Sequence, residues 1–598
     1  MTQQIHQFHI PVMGTGHSID SPIRIAHLGI DSVVSVVDDL LCEKIREYYS
    51  SLYEIPFEPV TSVAEDGRAR RITAYLDLMA EIVSEKFTRM KELPLFENSE
   101  KDRYFQLLPD SSELKKGYVQ LKASFNSGQV KSQIDLLTSM MRAGSIDVNI
   151  MAKVDALRND RQGKPLSAAY SDASAALRGY AKSTLSSSLV LSAGFNPRLY
   201  GYLEEFRDFY RDQYGVVKKK IILKVSDFRS AMIQGKFLAK KGLEIAEFRI
   251  ESGLNCGGHA FVSDGHLMPV LLKEFKEKKE QLAAAFQPLI RSYYESKGWV
   301  YPVADDSEVT PAITVQGGIG NHGEVLRLTK EYEMDATGWG SPFLLVPEAV
   351  CVDDETTELL EKAGEKDLYL SNVSPLGVPF NNVRGSGAEV YTKKMIEQGY
   401  PGSKCPKKFL VTNTEFTEHP ICTASSQYQL LKISQINESG QTGEKKSEEI
   451  GKVLEKSCLC TNLGAGALIK LGIMNPSYGR QEVCPGPNIA WFNRTYTLEE
   501  MVDHIYGRGE SLVPKERPHM FAKECMMYVD YLEEMMGQLD SDAPEMKKLL
   551  RMKKNLDQGM DLCLEIADGE AYPGENLDSL RELTLQQKER LETLFSNL

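Results

Sequence analysis

Three glycine-bearing stretches carry residue types and spacings on which chemistry can be built. Ala312–Gln316 (AITVQ) is a short run rich in β-branched residues, and Gly317, Gly318 and Gly320 break it at once. A second short run begins at Asp335 and ends in Gly338, Gly340 and Ser341. Glycines just after consecutive strands let backbone N–H groups approach an anion closely, so this pair of turns is expected to hold a phosphate. Upstream, Gly253-Leu254-Asn255-Cys256-Gly257-Gly258-His259 closes another apolar run. Its two adjacent glycines permit close approach of backbone to a ligand, and a ring that exchanges a proton near neutral pH follows directly. An isolated histidine more often bonds within its own loop. The position of His259 on a strand-end glycine turn favours a catalytic role.

The cysteines are a second candidate. Cys405, Cys422, Cys458, Cys460 and Cys484 fall within 80 residues and make up five of the ten in the chain. Thiolates at that density can ligate zinc or an iron–sulfur cluster. No C-x-x-C pair occurs, and C-x-C is a weaker signal, so buried free thiols are the favoured reading. Cys256 beside His259 invites a Cys/His nucleophile, ranked below a role of that turn in ligand binding. Asp38 and Asp39 end a strand and read either as substrate ligands or as solvated carboxylates. Glu348 and Asp353 read as surface or capping residues. Gly464 and Gly466 in TNLGAGALIK imitate a helix-opening anion turn, a weak signal without a preceding strand.

Eight short apolar runs must position these residues: His9–Gly16, Ile30–Val37, Ile146–Val154, Ser188–Ala193, Lys220–Val225, Glu244–Ile250, Ala312–Gln316 and the run from Asp335. Helical patterns lie between most of them, among them Ser21–Leu28, Gln129–Met141, Tyr200–Tyr210, Ser226–Lys241, Pro269–Ser296 and His322 to Glu333. Regular alternation implies a parallel sheet. Eight units imply an α/β fold of the (β/α)8 TIM-barrel type, with a doubly wound open sheet as the alternative. Residues 40–92 carry long amphipathic runs such as Arg71–Met90, which points to a long insertion after strand two, at about 56–128. The expected organisation is a barrel over 1–345, a loop-rich, Cys-containing cap over 346–510, and a helical region over 511–598. In the last region Phe521–Leu539, Ala543–Ile566 and Leu580–Leu594 read as amphipathic helices, either a solvated appendage or a surface for homo-oligomers.

GGHAF at 257–261, QGGIG at 316–320 and GWGSPFLL at 338–345 resemble, in order and spacing, the nitronate monooxygenase (2-nitropropane dioxygenase) family. That family consists of FMN-dependent (β/α)8 barrels and includes related flavin enoyl-acyl-carrier-protein reductases. The resemblance covers about residues 5–350. It implies an FMN phosphate on Gly317, Gly318, Gly340 and Ser341, with Gly257 and Gly258 beside the flavin. It makes His259 the base or a substrate-orienting group and lays Met13, Gly14 and Thr15 against the flavin ring. It also brings Asn149 and Lys153 to the flavin edge, where a cation would stabilise the reduced anion. Asn255–Cys256 replaces the family's Glu-Ala, Gln316 replaces an Ala, and the chain is far longer than the family core. The resemblance is to a distant, enlarged branch.

The formal net charge of -14 argues against a nucleic-acid surface. No run of 18 or more apolar residues occurs, so no membrane span is expected. The N-terminal stretch does not look like a signal peptide, so reduced thiols and a cytoplasmic location are expected. The expected activity is that of an FMN-dependent oxidoreductase acting on a small molecule. It either oxidises a nitronate-like carbon acid or reduces an activated C=C such as an enoyl thioester, the second with NAD(P)H as donor. The alternative is a flavin-free barrel aldolase or isomerase that binds a phosphorylated substrate at the same turns and uses Lys153 or Lys224. A non-catalytic scaffold is the third reading.

Overall fold

Eight parallel strands close a barrel in sequence order: β1 (Phe8–Ile10), β2 (Asp31–Ser35), β3 (Ile146–Ile150), β4 (Ser187–Leu191), β5 (Lys219–Val225), β6 (Glu247–Glu251), β7 (Ala312–Gln316) and β8 (Ala336–Gly338). Closure comes from β1 pairing with β8, with His9 opposite Gly338, which excludes the open sheet. The computed structural model describes residues 5–61, 63–123, 130–151, 155–160, 162–192, 194–262, 264–303, 309–537 and 543–596. Lys153, expected at the flavin edge, lies outside the described residues.

Side chains alternate across a strand, so every second residue points into the barrel. Val33, Val190 and Ile222 form an apolar layer there. One layer toward the strand starts, the interior turns polar: Asp31, Asp147 and Glu247 surround Arg249, and burial, with Asp147 nearby, pushes Asp31 up to about 7. One layer toward the strand ends, Ser35, Asn149, Lys224, Glu251 and Gln316 reach the mouth. The apolar layer thus separates the mouth from a buried charged floor.

Between β2 and β3 run the helices Asp39–Leu52, Gly67–Glu92, Glu100–Leu107, Glu113–Ala123 and Val130–Met140. Asp38 and Asp39 are not solvated. Asp38 caps the first of these helices through Leu41 N and pairs with Lys407, and Asp39 pairs with Arg68 and Arg71. The helix expected from His322 to Glu333 is α-helical only over His322–Leu326 and continues as a π-helical turn.

The stretch after the barrel is more helical than its Gly and Pro content implies. It holds a hairpin, β9 (Leu368–Ser371) with β10 (Phe380–Val383), and helices including Asp354–Lys362, Ser426–Glu438, Gly443–Leu454, Leu459–Lys470 and Leu498–Tyr506. Leu459–Lys470 is buried nearly all round, so it shows no amphipathic period. Gly464 and Gly466 lie inside this helix rather than at an anion turn. A Cβ on Gly464 would sit 3.1 Å from Leu41, and one on Gly466 2.7 Å from Asp353, so both glycines serve close packing. Asp353 caps Asp354–Lys362, as read from the sequence.

The C-terminal helices Met520–Gly537, Ala543–Ala567 and Leu577–Ser596 are not a solvated appendage. Phe521, Cys525, Tyr528, Met552, Cys563 and Leu580 belong to the same continuous apolar core as the barrel. Arg327, on the turn after the β7 helix, pairs with the buried Glu575 at 2.8 Å. No helix among the described residues is long and apolar enough to cross a membrane.

Candidate active site

The C-terminal ends of the strands enclose a cavity of about 250 Å³. Met13, Gly14, Thr15, Asn149, Gly257, Gly258, His259, Gly317, Gly318, Gly340 and Ser341 all line it. These residues are far apart in sequence, and only barrel closure brings them together.

The β7 turn is built for close approaches. Gly317 (φ 118°) and Gly318 (φ 75°) adopt backbone that L side chains rarely take. A Cβ on Gly318 would fall 2.1 Å from Asn255 Nδ2, and one on Gly320 2.1 Å from Arg517 Cζ. Arg517, buried and remote in sequence, braces this turn from behind. Its guanidinium donates to the Gly318 carbonyl, to Asn488 Oδ1 at 2.8 Å and to Glu324 Oε1 at 2.7 Å. Glu324 in turn accepts from Gly320 N and Met520 N at 2.7 and 2.8 Å. Among the described residues, the N–H groups of Gly317, Gly318 and Gly340 have no acceptor. Ser341 Oγ accepts from Gly486 N at 2.7 Å, which leaves its own proton to donate.

The β6 turn is gripped by the hairpin and by the strap around Pro485. Gly258 N donates to Cys484 O, Asn381 N to Gly258 O, and Ala260 N to Pro379 O. The His259 ring meets Phe380 edge to face at 5.0 Å, and its Nε2 lies 2.7 Å from Ser374 Oγ. Cys256 sits 3.6 Å from the Gln316 carbonyl, and burial pushes its thiol well above the ordinary range. A buried neutral thiol is a poor nucleophile, so the Cys/His reading has no support.

On the wall between β5 and β7, Lys224 pairs with Glu251 at 2.8 Å, and Gln316 Nε2 donates to the same carboxylate at 2.7 Å. Among the described lining residues, Lys224 is the one lysine or arginine. Asn149 Nδ2 donates to Val190 O at 3.4 Å. On the β1 side, Thr15 Oγ1 is buried without a hydrogen-bond partner, as is Asn255 Oδ1 near β7, and the His17 ring is buried beside the Glu482 backbone.

Ser35, Glu251 and Gln316 follow from strand alternation and were within reach of the sequence. Ser374, Asn488 and Arg517 carried no such signal, because tertiary packing alone delivers them.

The five cysteines do not form one ligand set. Cys405 and Cys422 pack together with Ala424, while Cys458, Cys460 and Cys484 belong to a separate apolar cluster. Among the described residues no group of three or more His, Cys, Asp or Glu could hold a metal ion.

No family model matches the chain, and no curated protein does. Among solved structures it is similar to FabK from Thermotoga maritima, with 13% identity over 63% of this chain and 80% of that one, at a TM-score of 0.31. It is similar to the enoyl reductase domain of MlnA from the macrolactin biosynthesis cluster of Bacillus amyloliquefaciens, with 15% identity, 67% and 86% coverage and a TM-score of 0.34. Nitroalkane oxidase from Streptomyces ansochromogenes is a third, with 10% identity, 84% and 95% coverage and a TM-score of 0.32. These likenesses are distant, and the barrel is defined by the chain's own strand pairing.

Proposed function

We propose that the protein is an FMN-dependent oxidoreductase with its flavin site at the barrel mouth. One observation carries this reading: the strand-end turns after β1, β6, β7 and β8 open on one cavity, with His259 on its wall. The donor set fits the cofactor. The unpaired N–H groups of Gly317, Gly318 and Gly340, with the Ser341 hydroxyl, would hold the phosphate dianion. FMN bound there supplies two-electron chemistry. Lys224 supplies a cation on the cavity wall. Its ammonium, held by Glu251, stabilises negative charge on the cavity wall, while the amides of Asn149 and Gln316 orient polar groups beside it. His259, fixed by Ser374 and Phe380, exchanges a proton with the substrate. Leu376 and Phe380 add apolar surface to the cavity lining, which would lessen water's access to the reacting atoms. The substrate is a small carbon acid of the nitronate kind or an activated C=C compound.

Titration of the purified protein with FMN, followed by fluorescence quenching and by the colour retained after desalting, tests the reading. A protein that neither retains nor quenches FMN refutes it. With FMN bound, anaerobic bleaching by NAD(P)H identifies a reductase, and bleaching by a nitronate identifies an oxidase. The aldolase reading is disfavoured because Lys224 is committed to an ion pair and is not a free amine nucleophile. Borohydride trapping with phosphorylated aldehydes is expected to leave no adduct.

A further inference from the structure

Two of the ten cysteines meet within one loop of the region that follows the barrel. The loop is pinned at its base, where Ser403 N donates to Ala424 O at 3.0 Å and Ser426 N donates to Ser403 O at 2.9 Å. It is pinned again further out, where Asn413 and Ile421 exchange backbone hydrogen bonds at 3.1 and 2.8 Å. Left-handed backbone at Gly402, Cys405 and Lys408, with φ of 74°, 49° and 57°, turns the first arm. Cys405 and Cys422 lie between the two pinned pairs and pack against each other and Ala424. The Cys422 thiol is hydrogen-bonded to the Cys405 sulfur. The backbone thus presents two sulfurs to each other at the spacing from which a disulfide can close.

The two thiols are not equivalent. The hydrogen bond from Cys422, aided by the Lys408 backbone N–H and ammonium, lowers the Cys405 thiol from 9.0 to about 7, so much of it is thiolate at neutral pH. The same contact, with burial, pushes the Cys422 thiol up, so it keeps its proton. Burial pushes Cys460, the next thiol acting on the pair, up to about 12. Cys405 is 7% exposed, and Lys404, Pro406 and Lys408 around it are exposed, so its sulfur lies just under the surface. A second hydrogen-bonded pair, Cys525 and Cys563, is 0% exposed at both residues. We propose that Cys405 and Cys422 form a redox-active dithiol that a hydroperoxide converts to an intramolecular disulfide. The Cys405 thiolate attacks the peroxide; an S–O bond forms, the O–O bond breaks, and hydroxide leaves and is protonated to water. The Cys422 sulfur then attacks the Cys405 sulfenic acid; the S–S bond forms, the S–O bond breaks, and hydroxide leaves with the Cys422 proton as a second water. Two thiols are oxidised and one peroxide is reduced. Thr423, next to Cys422, donates to the Pro375 carbonyl at 3.1 Å, so the bridge closes the loop tied to the segment of Ser374, the partner of His259. The proposal stands apart from the flavin reading.

The test treats the reduced, desalted full chain with hydrogen peroxide, quenches it in acid, alkylates the free thiols and maps the peptides by mass. The expected product has lost two of its ten thiols and about 2 Da, and carries one bridge between the Cys405 and Cys422 peptides. Dithiothreitol restores both thiols, and Cys525 and Cys563 stay reduced while the chain is folded. Wild-type mapping needs no variant, and two variants separate the roles. In Cys422→Ser the Cys405 sulfenic acid has no thiol to resolve it and is trapped by dimedone. In Cys405→Ser, Cys422 stays reduced. Ten free thiols after peroxide would overturn the proposal, as would a bridge from either residue to Cys460 or a first bridge between Cys525 and Cys563. A Cys422→Ser protein that melts like wild type but gives no dimedone adduct at Cys405 would overturn it as well.

Discussion

Replacing Arg517 by Met tests whether the C-terminal region sets the geometry of the β7 turn. The change removes three donors at once, leaving the Gly318 carbonyl, Asn488 Oδ1 and the Glu324 carboxylate short of a partner. Both ion-pair side chains are almost fully buried, at 4% and 0% exposure. Breaking a buried pair from one side costs about 3–5 kcal/mol, because the remaining charge stays desolvated. A chain of 598 residues has an unfolding entropy of about 1.3 kcal/mol/K if it melts as one unit, so Tm should fall by about 2–4 °C. FMN affinity should fall as well, by about tenfold for each 1.4 kcal/mol of lost turn order. The informative control is Arg517→Met with Glu324→Gln. Neutralising the stranded carboxylate should restore at least half of the lost Tm, while the loosened Gly318 keeps FMN binding weak. Differential scanning calorimetry and FMN titration read the two effects separately. A single variant with wild-type Tm and wild-type FMN affinity would refute the brace. A double variant that melts no higher than the single one would show that the cost is not electrostatic.

Lys224→Met should leave FMN bound but slow anaerobic flavin reduction about 10²-fold by removing a preorganised charge; an unchanged stopped-flow rate would assign stabilisation of the reduced ring elsewhere. Gly318→Ala combines a φ of 75° with a Cβ 2.1 Å from Asn255, and it should cost about 1–3 kcal/mol of stability along with FMN affinity. Gly340→Ala, with φ at -99° and Pro11 Cγ 3.3 Å away, should fold normally and lose only FMN affinity, so equal Tm losses in the two variants would contradict the assignment. Burial pushes Glu524 up to about 7 from 4.5, so between those values the native state binds the proton that the unfolded chain releases. Its contribution is therefore full at low pH and is lost as pH rises toward 7, by at most about 3 kcal/mol. Glu524→Gln should gain Tm relative to wild type from pH 5 to pH 8, and a constant difference across that range would show that the carboxyl does not titrate there.

The barrel was legible because its strands fall in short apolar runs, several of them closed by glycine, with helical patterns between most of them. Strands fully buried in a parallel barrel need no alternating polar face, so short apolar runs suffice. The chemistry at strand ends was legible for the same reason: Gly317, Gly340 and the turn before His259 are local features. Lys224 and Glu251 belong to a register, each two residues beyond an inward-facing one, and that register becomes readable once a barrel is assumed. The helix Leu459–Lys470 was hidden because burial on all sides removes its amphipathic period. Arg517 and Glu524 had no local signal. Their partners, Gly318 and Ser252, lie on strand-end turns near the middle of the chain, and only the packing of the last helices brings them near.

A glycine after a strand has two physical uses that sequence does not separate. It frees N–H groups for a ligand, and it lets another segment pass close by. At Gly257 the second use dominates, since a Cβ there would fall 2.5 Å from the Cys484 carbonyl. At Gly320 it dominates again, through Arg517, and the Gly320 N–H is already taken by Glu324. Gly318 serves both uses, with Asn255 against its Cα and its N–H unclaimed. At Gly340 an added Cβ would meet Pro11 Cγ at 3.3 Å, while its N–H is unclaimed. The cap and the C-terminal helices therefore touch the turns from behind while the proposed phosphate would meet them from the front. In that arrangement the added segments are part of the binding site's geometry: a shift of the strap around Pro485, or of Arg517, moves the same backbone that the ligand must meet.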